Sequence, residues 1–158
     1  MTCYNSCKKT NKTNKVEQDR RIYRRIRLTP LFVEPIQVKV GKNEKTVPGI
    51  IADLSSAGIS IITYGKIPCG EKITIDLNLK GLKSKKIEGK VLKVQENTST
   101  YVVVILFDVL QKSIAKHLEL VAMDFEDCET KWTRGDFNFC FKECAYYPYC
   151  SKTVKKKF

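Results

Sequence analysis

The amino-acid sequence predicts a mainly β protein: a small antiparallel barrel of six strands, closed by one C-terminal helix and followed by a Cys-rich tail. Three observations carry this reading. Six short, β-branched segments begin 9 to 15 residues apart with no helical pattern between them. A single stretch, Val109 to Phe125, then repeats its apolar residues at helical spacing. Beyond Glu126 the composition turns to cysteine and aromatic residues.

The elements follow in order. Residues 1–19 have no hydrophobic period and are dominated by Lys, Asn and Thr, so a flexible basic arm is expected. An arginine-rich segment, residues 20–27, leads into the strands. These are Ile36 to Val40, Gly49 to Leu54, Gly58 to Thr63, Lys72 to Leu79, Lys85 to Val94 and Thr100 to Phe107. Most alternate apolar and polar residues and are bounded by Gly, Pro, Asn or Ser. Strands that follow one another without crossover helices form an antiparallel barrel or a sandwich. In the next stretch Leu110, Ile114, Leu118 and Val121 or Ala122 recur on one side of a helix, with Lys112, Lys116 and Glu119 between them.

A chain of 158 residues, 42% of them hydrophobic, holds one packed domain of roughly 100 residues plus appendages. The expected division is an arm (1–19), a barrel with its closing helix (20–125) and a tail able to bind metal (126–158). The net charge of +12 is uneven: residues 1–27 carry an excess of seven positive charges, residues 128–158 four and the body one. A near-neutral body with basic ends suits a local anion site better than a broad polyanion-binding face. No apolar run approaches the roughly 18 residues that span a bilayer, and the N-terminus lacks the apolar core of a secretory signal. A cytoplasmic location is expected.

Two residue groups stand out. One is Asp19-Arg20-Arg21-Ile22-Tyr23-Arg24-Arg25-Ile26-Arg27, ahead of the strands; the other is Asp53-Leu54-Ser55-Ser56-Ala57-Gly58, between the second and third. Taken singly, an arginine run is ordinarily a solvated linker, and DxSxxG an ordinary turn between strands. In this order, about 30 residues apart, they resemble the ligand motifs of the PilZ family, RxxxR and (D/N)xSxxG. Arg21 and Arg25 match the first; Asp53, Ser55 and Gly58 match the second. The resemblance spans residues 19 to about 125 and implies a PilZ-like barrel that binds the bacterial second messenger cyclic di-GMP, with a change of conformation that regulates a downstream protein. It also implies a ligand contact on a later strand, which the spacing does not place.

The chemistry is coherent without the family name. A cyclic dinucleotide offers two phosphates and two guanine edges, and a guanidinium grips phosphate oxygens or guanine O6 and N7 bidentately. Arg20, Arg21 and Arg25 are the expected grips, with Arg24 and Tyr23 as further stacking or pairing candidates. Asp53 can accept from guanine N1 or N2, Ser55 offers a hydroxyl, and Gly58 permits a tight turn and close ligand approach.

Seven cysteines lie at positions 3, 7, 69, 128, 140, 144 and 150. Without a secretory signal a disulfide framework is not expected. Cys128, Cys140, Cys144 and Cys150 supply enough sulfur for a tetrahedral zinc site or an iron–sulfur cluster, and their spacing selects neither. The stretch CFKECAYYPYC is similar to Cys-rich tails that hold iron–sulfur clusters. Cys3 and Cys7 read as spare thiols on the arm, Cys69 as a lone thiol, and His117 as a surface residue of the helix.

Two other functions compete with the receptor: a basic barrel gripping RNA or single-stranded DNA, with a C-terminal metal module, and a cysteine-based redox or metal sensor. The first lacks an aromatic stacking stripe on the strands. An enzyme has the least support: the chain contains no P-loop, no HExxH and no nucleophile elbow, and its single histidine cannot build a multi-histidine zinc centre.

Overall fold

Strand alternation dictates the architecture. The computed structural model describes residues 23–28, 35–42, 45–152 and 155. Its strands are β1 (Ile26–Arg27), β2 (Ile36–Val40), β3 (Lys45–Leu54), β4 (Gly58–Thr63), β5 (Lys72–Leu79), β6 (Leu82–Asn97) and β7 (Thr100–Phe107). Six of them close an antiparallel ring in the order β3-β2-β5-β6-β7-β4, with β4 returning to β3. The expected barrel is therefore present. β1, too short to show a sequence period, lies outside the ring along the last two residues of β3, with Ile26 opposite Leu54 and Arg27 opposite Asp53.

The inward residues fill the ring. Val38, Ile51, Ile61, Ile75, Val103 and Ile105 are all at most 1% exposed, and each such burial contributes about 1.5–3 kcal/mol. Register shifts interrupt the alternation at three places, one of them between Ile75 and Leu77 of β5. On β3 the register shifts between Ile51 and Asp53, leaving Ala52 as the extra residue. Val47, Gly49 and Ile51 face inward, but the next fully buried residue is Leu54. The inward phase thus passes from odd to even positions, and Asp53, which an unbroken strand would aim at the core, sits on the outer side. On β6 a shift between Val91 and Lys93 makes Leu92 the extra residue, and Leu92 is left exposed.

A single helix, α1 (Lys112–Thr133), follows β7. Ile114, Leu118, Val121 and Ala122 are buried in the barrel's core cluster, and the helix packs across β1. The composition change at Glu126 does not end it. Asp127 and Lys131 pair at 2.7 Å one turn apart, Cys128 is buried, and termination waits for Gly135, whose φ is 78°. There the Asp136 N–H reaches the Lys131 carbonyl and the Gly135 N–H the Trp132 carbonyl, a Schellman ending. Among the described residues no helix is long and apolar enough to cross a membrane.

The chain then folds back along the second half of α1, and among the described residues there it forms one short 3-10 turn, Tyr147–Tyr149. The Tyr146 ring meets Phe125 of α1 edge-on at 4.9 Å, and the Asp124 carboxylate accepts the Ala145 N–H at 2.6 Å.

Candidate functional site

The β3–β4 hairpin carries the DxSxxG motif in its turn, at the seam where the ring closes. The Ser55 N–H donates to the Gly58 carbonyl at 2.9 Å, the Ser55 hydroxyl donates to the same carbonyl at 3.1 Å, and its oxygen accepts the Gly58 N–H at 3.2 Å. Ser55 is 8% exposed, and its hydroxyl is committed to shaping the turn. The Phe107 N–H ties the turn to β7 through the Ala57 carbonyl at 2.9 Å.

A structural requirement also falls on Gly58. Its φ is not positive; instead a Cβ would collide with the Ile105 carbonyl oxygen of β7. The missing side chain lets two strand backbones approach.

Outside this seam lies a groove of about 310 Å³, in the lower part of the range of small-ligand sites. Tyr23 and Arg25 line one side, entering from the segment that becomes β1; Asp53, Ser55, Gly58 and Ser60 come from the hairpin; Leu92, Val104 and Leu106 supply an apolar wall from β6 and β7. The structure thus gathers Arg25, Tyr23, Asp53, Ser55 and Gly58 from the two motifs. Arg24 turns away, its Nε 3.0 Å from Glu126 of α1. Arg20 and Arg21 lie outside the described residues, as do Cys3 and Cys7.

The apolar wall was missed in the sequence. Its signal was the unbroken run Val102 to Phe107: a strand apolar on both faces uses its outer face for something. Leu92 and Leu106 are 62% and 49% exposed on that face, flat apolar surface of the kind on which a purine ring can lie. α1 touches both motifs, since the Ser56 hydroxyl donates to Glu119 and Arg24 pairs with Glu126.

The cysteines form a second location. Cys69 stands apart, its thiol donating to the Leu92 carbonyl at 3.3 Å. Cys128, Cys140, Cys144 and Cys150 are free thiols around one cavity between α1 and the returning tail. Burial pushes the Cys144 thiol up to about 11 and raises that of Cys128, the latter partly offset by a hydrogen bond from Lys152. Among the described residues no three Cys, His, Asp or Glu side chains already stand in the arrangement that holds an ion.

Residues 18–122 match the family model of the PilZ domain. No curated protein matches the chain. Among solved structures, the PilZ domain of YcgR from Escherichia coli, determined with c-di-GMP, is similar at 15% identity and a TM-score of 0.52, over 73% of this chain and 98% of that domain. YcgR from Escherichia coli in complex with c-di-GMP is similar at 17% identity and a TM-score of 0.56, and the Bacillus subtilis inhibitor of motility MotI/DgrA at 13% and 0.50. These alignments span 73% and 74% of this chain but about half of the other two proteins, 50% and 53%. At such identities the likeness is one of fold.

Proposed function

The chain belongs to the PilZ domain family, and from that premise we propose that it is a receptor for cyclic di-GMP, which docks in the groove outside the β3–β4 seam. The observation that carries this reading is the meeting of Arg25 with Asp53 and the Ser55 turn in one groove, from motifs far apart in sequence. Arg25, with Arg21 four residues before it in the sequence, grips phosphate or the guanine Hoogsteen edge. Asp53, turned outward by the bulge at Ala52, accepts from a guanine N–H. Leu92 and Leu106 receive the face of a base. Ser55 acts through the turn it holds.

The test is calorimetric titration of cyclic di-GMP into the chain and into Arg21→Ala, with GMP and a short single-stranded RNA as controls. Saturable binding of the cyclic dinucleotide, lost in Arg21→Ala, is expected. Binding of RNA with steep salt dependence and no preference for the cyclic dinucleotide would put the nucleic-acid reading in its place.

The output is a change in α1. A ligand that draws the arginine segment into the groove competes with the Arg24–Glu126 pair, and the Ser56–Glu119 hydrogen bond ties the same helix to the hairpin turn. The helix then presents a different surface to a partner protein. Both members of the Arg24–Glu126 pair are exposed, so the pair contributes at most about 1 kcal/mol. Glu126→Gln is accordingly expected to tighten cyclic di-GMP binding by no more than about fivefold. A weaker affinity in Glu126→Gln would mean that the pair supports the bound state instead.

A further inference from the structure

Four cysteines from separate parts of the chain end converge on one place. Cys128 comes from α1 and Cys140, Cys144 and Cys150 from the returning tail; all four line one cavity of about 20 Å³, whose other walls include Phe139 and Tyr146. That is room for a single ion, beside the rings of Phe139 and Tyr146.

The tail around it has little else to hold it. Residues 136–152 contain one 3-10 turn, and only Tyr146, Tyr149 and Cys150 among them are buried. So small a core does not offset the entropy of ordering an irregular segment of this length, and short segments in that position are held by a cross-link. Two ammonium groups border the cavity. Lys152 Nζ is 3.3 Å from Cys128 Sγ, and Lys155 Nζ reaches the Cys150 carbonyl at 3.3 Å. The carboxylates that also border it are engaged elsewhere, Asp124 by the Ala145 N–H and Asp127 by Lys131.

We propose that Cys128, Cys140, Cys144 and Cys150 bind a zinc ion, which fastens the tail to the far end of α1. Each metal–sulfur bond replaces an S–H bond, and the protons leave to solvent. Four thiolates make the zinc centre anionic, and Lys152 and Lys155 border it with positive charge. Neutral thiols have no reason to close to ligating distance; the metal draws them in. The site is independent of the cyclic di-GMP groove.

The test uses the full chain purified without oxygen. Elemental analysis should give about one zinc per chain without colour. Cys144→Ser should lose the metal, and Cys69→Ser, outside the cavity, should keep it. Should Cys144→Ser not fold, the wild-type chain decides: stripped of metal and titrated with cobalt(II) chloride, it should develop intense thiolate-to-cobalt absorption saturating near about one ion per chain. A chain that arrives without zinc and gives no such absorption, or one that arrives with about four irons and visible colour, overturns the proposal. So does a non-reducing peptide map that finds disulfides among these four cysteines.

Discussion

Arg25→Ala is expected to weaken cyclic di-GMP binding by about 30-fold to several thousand-fold, the 2–5 kcal/mol associated with removing one member of a charge-assisted pair at a binding surface. Arg25 lines the groove beside Asp53, at the point where the segment leading to β1 meets the hairpin. Its fork matches a phosphate or a guanine edge in two parallel hydrogen bonds, which an ammonium cannot reproduce. Arg25→Lys should therefore recover only part of the affinity. The side chain is exposed, so the melting temperature of Arg25→Ala should stay close to that of the wild type. Titration calorimetry and a thermal melt on the same samples separate the two effects. An affinity within about threefold of wild type would remove Arg25 from the site.

Gly58→Ala acts on the fold before it acts on the ligand. The added methyl meets the Ile105 carbonyl oxygen, and both lie in paired strands that cannot give way without breaking the β4–β7 ladder. Overpacking against backbone costs about 3 kcal/mol, which for a chain of this size lowers the melting temperature by roughly 10 °C. Urea unfolding should show the same loss at an unchanged slope. If Gly58→Ala melted with the wild type, strand approach would not explain this glycine, and the ligand would have to.

Much of this was legible in the sequence because alternation is a local property. The six barrel strands and the helical face of Ile114, Leu118 and Val121 are written in periods of two and 3.6 residues. What escaped was whatever lacks a period. β1 spans two residues, too few to alternate. The bulge at Ala52 leaves only one trace, that Ile51 and Leu54 are both buried at a spacing of three. α1 outran its expected end because a shift in composition is weaker punctuation than Gly135, which stops the helix. The two motifs indicated which side chains belong together, but the commitment of Ser55 to its turn and of Arg24 to Glu126 are tertiary facts.

α1 has a mechanical meaning that its hydrogen bonds do not suggest. Its 22 residues form one uninterrupted rod, about 33 Å long at 1.5 Å per residue. The first half is gripped by the barrel, and the second half runs out to Cys128 and the folded-back tail. A rod held near one end is a lever. Pivoting it by about 5° where the barrel's grip ends carries the far end, roughly 16 Å on at 1.5 Å per residue, through about 1.5 Å, the size of helix shifts at regulatory interfaces. A small adjustment beside Ser56 is thereby passed along the helix to the end that carries the tail.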